Sequence, residues 1–340
     1  MRLLMVNWGY DDDALAERTQ LGSGVTLDLR RWTPGKVQPL TPADCASADA
    51  IINYSAVEQI GAGPDAFPKC RIVVRSGVGF DNVDLEAWGK RGVPVSNVPD
   101  YGTTEVADHA IALMLALTRG TATYHQILRP DPAKGWRFGA APLVLRLRGA
   151  TFGVIGLGRI GLAAALRAQA FGMRVAFFDP YLPTGTELSA GFARATTLEA
   201  LMAVSDVVSV HAPLSAETRG LVGANAFAAA KRGVVIVNTA RGPIVDLDAL
   251  GAAIKSGQVG GAGLDVLPAE PADANHPLIA AWIKGESWVE GRLTLSPHAA
   301  FYSPASIDDL RRKSVEVVVE YIRNKRLLNC VNPQFLGKTA

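Results

Sequence analysis

Three side chains could together carry acid–base chemistry on a bound carboxylate: Arg241, Glu270 and His298. Each follows a short apolar run that reads as a buried strand. The segments are Ile236-Val237-Asn238-Thr239-Ala240-Arg241-Gly242, then Gly263-Leu264-Asp265-Val266-Leu267-Pro268-Ala269-Glu270-Pro271, then Ser296-Pro297-His298-Ala299-Ala300. In open α/β sheets ligands bind at the carboxyl ends of strands. An Arg placed there can grip a carboxylate through two parallel N–H···O bonds, and it stays charged at any working pH. A Glu hydrogen-bonded to a His orients the ring and favours the imidazolium, which can give its proton to a carbonyl; the neutral ring can take one from an alcohol. Singly, Arg241 reads more readily as a surface ion-pair partner, and His298 as a core or cap histidine. The structural reading is kept for His109, His125, His211 and His276.

A second constellation supplies what acid–base groups lack. Gly153-Val154-Ile155-Gly156-Leu157-Gly158-Arg159-Ile160-Gly161 joins an apolar strand to a helix start, and a following strand, Arg174 to Phe178, ends on Asp179. Gly156 permits a tight turn, Gly158 lets backbone N–H groups approach a pyrophosphate, and Gly161 lets helix and strand pack closely. The helix N-terminus adds partial positive charge and unpaired N–H donors. Asp179 is placed to accept hydrogen bonds from both ribose hydroxyls and to repel a 2′-phosphate. With no Arg or Lys in Pro180-Tyr181-Leu182-Pro183, the expected cofactor is NAD rather than NADP. A dinucleotide, a carboxylate anchor and a proton donor are the parts that hydride transfer to a 2-keto acid needs.

Composition leaves room for this reading and narrows the others. The 340 residues suffice for two cores, and 49% hydrophobic with 19% charged residues is ordinary for a globular protein. A net charge of +2 makes no electrostatic case for nucleic acid or a membrane surface. Three cysteines, Cys45, Cys70 and Cys330, show no metal-ligand spacing and no disulfide framework, so no metal is expected and a reducing, cytoplasmic compartment is. The apolar start runs into Asp11-Asp12-Asp13 without a signal peptide's basic region, and no run is apolar enough to span a bilayer.

The elements that must position these residues fall into two series. Leu3 to Asn7, Val25 to Leu29, Ala50 to Asn53, Arg71 to Arg75 and Val93 to Val95 read as strands of a first α/β unit. Thr103 to Arg119 reads as a long helix capped by Thr103 or Thr104 and stopped by Gly120, and Arg129 to Gly135 as a loop. The second series comprises Thr151 to Ile155, a helix from Leu162 to Phe171, Arg174 to Phe178, Val207 to His211, Val234 to Asn238, Gly261 to Asp265 and Leu293 to Ser296. Pro304 to Leu328 reads as a helix returning to the first domain. The expected fold is therefore α/β, with two doubly wound, Rossmann- or flavodoxin-like domains and a cleft between them. Residues 1–102 with 300–340 would form the substrate domain and 103–299 the NAD-binding domain.

These stretches resemble the D-isomer-specific 2-hydroxyacid dehydrogenases. The resemblance rests on Arg75-Ser76-Gly77-Val78-Gly79-Phe80-Asp81-Asn82-Val83-Asp84, the glycine turn, Asn238 to Gly242, Gly263 to Val266 with Glu270-Pro271, and Ser296-Pro297-His298. They occur in family order and span nearly the whole chain. The resemblance implies that Arg241 binds the substrate's carboxylate and keto oxygen, that His298 is the acid/base, and that Glu270 pairs with it. It also implies that the Val78 and Gly79 amides complete the carboxylate site and that Thr239, Ala240, Asp265 and His298 line the nicotinamide, with Ala300 and Val78 nearby. His211, Ala212, Pro213 and Thr218 would flank the adenosine side. Tyr54 and Phe301 would shape the substrate pocket.

Gly79-Phe80-Asp81-Asn82, Asp179-Pro180-Tyr181-Leu182, His298 to Ser303 and Asn329-Cys330-Val331-Asn332 look most like the C-terminal-binding-protein branch, which carries a Trp where this chain has Phe301. That branch raises an alternative: an NAD(H)-sensing, corepressor-like binding protein. A phosphoglycerate-type enzyme is a further alternative, disfavoured because Asn53-Tyr54-Ser55 holds no basic residue and no regulatory domain is read after residue 340, but kept open by the nearby Arg75. The implied partners are a small 2-keto or 2-hydroxy acid and a second copy of the chain, docked through Thr103 to Gly139. The segment from Ala272 to Gly291, with Trp282 and Trp288, reads as a lid or a surface patch.

Overall fold

The computed structural model describes residues 1–33, 36–55 and 59–337. It divides the chain into two units, Met1–Gly102 with Tyr302–Ala340, and Thr103–Phe301.

The first unit is built on a six-stranded sheet: β1 (Arg2–Trp8), β2 (Thr26–Thr33), β3 (Lys36–Val37), β4 (Ala50–Asn53), β5 (Val73–Arg75) and β6 (Val95–Asn97), in the order β3-β2-β1-β4-β5-β6. All pairs are parallel except β2 with β3. Successive side chains of a strand point to opposite faces. Leu3 and Met5 accordingly join one core with Ile52 and Val74, while Leu4 and Val6 join the other with Ile51 and Val73. The helix Pro304–Asn324 covers the first of these faces with Leu310, Val315, Val317 and Val318. It starts where Ser303 and Ser306 cap each other's backbone N–H and Pro304 occupies the first helical position.

The second unit holds seven parallel strands: β7 (Thr151–Ile155), β8 (Arg174–Phe178), β9 (Ala193–Arg194), β10 (Val207–Val210), β11 (Val234–Asn238), β12 (Val259–Leu264) and β13 (Leu293–Leu295). Their order is β13-β12-β11-β10-β7-β8-β9. The chain winds outward through β8 and β9, then returns to the other side of β7, so β7 and β10 flank the switch point where such folds bind ligands. Both faces are buried. Val234 and Ile236 enter one core, Val235 and Val237 the other.

Several expectations are corrected. Thr103 is already helical in Thr103–Thr118, and its hydroxyl, like that of Thr104 (which donates to Glu105), caps nothing. Residues 129–135 are not all loop: Asp131 accepts from the N–H groups of Ala133 and Lys134, and Pro132 opens the short helix Pro132–Gly135. The same Pro that signals a break is also a good first helical residue. The helix of the glycine turn begins at Arg159, and the last long helix stops at Asn324, where Lys325 turns left-handed. The strand expected at Val93 to Val95 lies at Val95–Asn97, because Asn332 takes the Val93 carbonyl while Val95 pairs with Val73. The short edge strands β3 and β9 carry too few residues to show a periodicity.

Candidate active site

The glycine turn sits at the carboxyl end of β7, at the switch point. Gly156 has φ 86°, and a Cβ there would lie 2.8 Å from the Ala212 nitrogen; one on Gly161 would lie 2.1 Å from the Gly156 oxygen. Both positions therefore exclude side chains for reasons of packing. Gly158 differs, since a Cβ there would meet nothing within 4 Å. The space it leaves is beside the N–H groups of Gly158, Arg159 and Ile160, which have no partner among the described residues. These donors at the start of a 12-residue helix suit a pyrophosphate.

Asp179 follows β8 and ties the turn together, accepting from Leu157 N–H and Tyr181 N–H at 3.0 Å each. A cavity of about 620 Å³ opens at the same strand end, lined by Phe178, Pro180, Thr197, Leu198 and Leu221 among others. Across the switch point, His211 N–H donates to the Ile155 carbonyl, Ala212 is buried against Gly156, and the Pro213 carbonyl accepts the Thr218 hydroxyl at 2.6 Å. The His211 ring shares a 2.8 Å hydrogen bond with the buried Ser209 hydroxyl, and burial pushes its pKa down to about 4.

Glu270 and His298 meet. Glu270 Oε2 and His298 Nδ1 are 2.7 Å apart, and the other Glu270 oxygen accepts Leu267 N–H at 3.1 Å. This arrangement directs the Nδ1 proton at Glu270 and leaves Nε2 for chemistry. His298 holds φ 52°, a left-handed conformation that costs a non-glycine residue of the order of 1 kcal/mol and marks a constrained site. The Phe301 ring stands edge-on to the imidazole, with centroids 6.2 Å apart.

Arg241 lies beyond β11, in a turn stapled by the fully buried Asn238: its Nδ2 donates to the Arg241 carbonyl and its Oδ1 accepts Ala240 N–H. Arg241 Nη1 donates to the Ala240 carbonyl at 2.8 Å. The Thr239 hydroxyl is buried with no hydrogen-bond partner, an orphan of the kind a bound ligand satisfies. Together with the free turn amides, it makes this unit fit a dinucleotide.

Asp265 is committed to the polypeptide. Its carboxylate accepts the Ser296 hydroxyl at 2.6 Å and the N–H groups of Ala299 and Ala300 at 2.9 Å each. The Ala300 amide is thereby used, and Ala300 itself is buried. His109, read from sequence as structural, meets this cluster, with Nε2 2.8 Å from Ser296 Oγ. No local pattern links residues 109, 265 and 296; only the sheet and the helix packed on it join them.

The first unit carries Val78, Gly79 and Tyr54. Gly77 has φ 147°, and the N–H groups of Val78 and Gly79 that follow it have no partner among the described residues. Tyr54 packs edge-on against Trp8 and Tyr10, and its hydroxyl is buried without a hydrogen-bond partner. Arg311 lies over the Trp8 and Tyr10 rings and is engaged by Glu17 and Asp12. The expected lid segment contains the helix Pro277–Lys284, which buries Leu278, Ile279 and Ala281 in the second unit's core, with Trp288 packed beside it. Among the described residues no cluster of His, Cys, Asp or Glu could hold a metal, and no helix is long and apolar enough to cross a membrane.

Residues 111–300 match the model of the D-isomer-specific 2-hydroxyacid dehydrogenase NAD-binding domain. The chain belongs to this family. A curated relative, D-3-phosphoglycerate dehydrogenase of Mycobacterium leprae, is 40% identical over 259 residues, covering 76% of this chain and 48% of that protein. The chain thus spans about half the length of the curated relatives it matches. Among solved structures, an NADPH-dependent glyoxylate/hydroxypyruvate reductase from Sinorhizobium meliloti, in complex with NADP and malonate, is 30% identical, with a TM-score of 0.80 over 100% of this chain and 99% of that one. D-lactate dehydrogenase from Aquifex aeolicus, complexed with NAD and lactic acid, is 26% identical, with a TM-score of 0.78 over 95% and 96%.

Proposed function

We propose that the protein is an NAD-dependent dehydrogenase interconverting a small 2-keto acid and its D-2-hydroxy acid. The observation that carries this is the 2.7 Å contact between Glu270 and His298 on the unit whose glycine turn offers free amides. NADH, when bound, supplies the hydride. The chain's own residues do the rest. Arg241, with the Val78 and Gly79 amides, takes the carboxylate, and the guanidinium also stabilises charge growing on the keto oxygen. His298 delivers a proton from Nε2 to that oxygen while Glu270 holds the ring from Nδ1. Thr239 and the turn from Gly156 to Gly161 hold the dinucleotide, Asp179 selects its unphosphorylated ribose, and Phe301 and Tyr54 bound the substrate.

Glyoxylate, hydroxypyruvate and pyruvate are the expected substrates. A panel of 2-keto acids with NADH tests the reading: turnover of at least one supports it, and tight NADH binding with no turnover of any would favour a binding protein instead. The Mycobacterium leprae relative keeps a second reading in view, a phosphorylated substrate of the phosphoglycerate type. Arg311, which lies over the Trp8 and Tyr10 rings that pack on Tyr54, is already held by two carboxylates, which favours the unphosphorylated class. The same panel with a phosphorylated 2-keto acid decides between them. We further propose a cytoplasmic homodimer, assembled through the Thr103 to Gly139 region, where Trp136 and Phe138 are 80% and 97% exposed.

A further inference from the structure

We propose that His109 is a positioning residue for His298, acting through Ser296 and Asp265; this rests on the reading of His298 as the acid/base. Asp265 holds three consecutive N–H groups of the loop that presents the imidazole. Its carbonyl accepts His298 N–H at 2.8 Å, one carboxylate oxygen accepts Ala299 N–H, and the other accepts Ala300 N–H. These bonds keep His298 in its left-handed conformation, so the orientation of the Asp265 carboxylate sets the direction of the catalytic ring.

The carboxylate is almost wholly buried, its side chain 1% exposed, and beyond those amides the hydroxyl of Ser296 is its donor. A hydroxyl has one proton. Ser296 gives that proton to Asp265 at 2.6 Å, so in its 2.8 Å contact with His109 the Ser296 oxygen must accept. His109 therefore carries hydrogen on Nε2, which is also 3.6 Å from Asp265 Oδ1. The result is a directed chain, His109 Nε2–H to Ser296 Oγ–H to Asp265. Without His109 the hydroxyl is free to rotate away, and a buried carboxylate loses a short hydrogen bond. His109 is delivered by the helix Thr103–Thr118, which packs on the sheet through Leu113, close against Gly263.

The test uses His109→Met, which removes the donor, His109→Gln, whose amide restores one, Ser296→Ala, and the Met/Ala double variant. Expected are about 10- to 100-fold losses of kcat in His109→Met and Ser296→Ala, with NADH affinity within about twofold of the parent. The double variant should lose no more than either single variant, because one chain cannot be broken twice. His109→Gln should recover most of the loss. Unchanged kcat in His109→Met, losses that multiply in the double variant, or Gln no better than Met would overturn the proposal.

A second readout does not need turnover. The chain has five histidines, and in histidine-labelled protein His298→Asn identifies the NMR signal of the Nδ1 proton facing Glu270. That signal should broaden or shift in His109→Met and Ser296→Ala and return in His109→Gln. A parent protein inactive on every 2-keto acid would count against the proposed function alone, and the NMR result would still decide the role of His109. An unmoved His298 signal in His109→Met refutes that role.

Discussion

Glu270 and His298, 28 residues apart in sequence, meet at 2.7 Å through Oε2 and Nδ1. In the proposed function this contact makes the two residues one acid–base group. His298→Ala should lower kcat by roughly 10²–10⁴ while NADH binding, followed by fluorescence, is kept. Glu270→Gln keeps a hydrogen-bonding group beside the ring but removes the carboxylate, and should lose a large part of the same factor. Near-parental turnover in His298→Ala would remove the imidazole from the reaction.

Arg241 makes a different demand. Its turn is held by Asn238 from within, so a substitution at the tip leaves the backbone in place. Arg241→Lys preserves charge but not the planar fork that grips a carboxylate. The variant should show a KM for 2-keto acid raised at least tenfold and a lower kcat, since in the proposed function the guanidinium also meets the developing oxyanion. Steady-state kinetics with unchanged KM and kcat would mean that another group anchors the substrate.

How far the sequence carries these assignments depends on the range of the interaction. The strands of both cores are legible because Val234 to Val237 and Leu3 to Val6 feed two opposite faces and so form unbroken apolar runs. The glycine turn is legible because its geometry is local. Gly156 and Gly161 are fixed by atoms of the same βαβ unit and its neighbouring strand. The Glu270–His298 pair is recognisable by type, but its 2.7 Å contact is a product of β12 and β13 lying side by side. His109 is not recognisable at all. Its partner Ser296 is 187 residues away, and a histidine on an apolar helix has no local mark that separates a core residue from one end of a polar chain. Asn238 and Ser209 are similar, since each is a buried polar side chain hydrogen-bonded to residues two or three positions on, Asn238 to Ala240 and Arg241 and Ser209 to His211.

In the proposed function Asp179 sets the choice of cofactor. Its carboxylate is half-buried at the end of β8 and already oriented by two amides, so it is held rigidly. NAD should be turned over with a kcat/KM at least tenfold above that for NADP. Asp179→Ser should narrow that gap by admitting the 2′-phosphate. The change will also loosen the turn, because the Leu157 N–H loses its acceptor. Equal kcat/KM for both cofactors in the parent protein would contradict the role given to the carboxylate.

Trp136 and Phe138 are large apolar side chains almost entirely in water, on a segment whose other residues fold back through the Tyr124 hydroxyl to the Phe138 carbonyl. Such exposure is costly unless a partner covers it. Sedimentation should give a dimer for the parent protein and a shift toward monomer for the Trp136→Asp, Phe138→Asp double variant. A dimer unchanged by both substitutions would move the interface elsewhere.

His211 couples the stability of the fold to pH. Burial holds its pKa at about 4, against about 6.5 for the free side chain, so the folded protein keeps the ring neutral over a range where the unfolded chain is already protonated. Between pH 6.5 and 4 the unfolded state binds more protons than the native state. Stability must therefore rise with pH across that window and level off above it. The shift corresponds to a loss of the order of 2–3 kcal/mol on acidification from pH 7 to 4. In His211→Gln that component should vanish, because the amide does not titrate, although losing the Ser209 partner will lower stability at every pH. Urea melts of both proteins at several pH values measure the difference. Parallel stability curves from pH 7 to 4 would show that the ring is not held neutral by the fold.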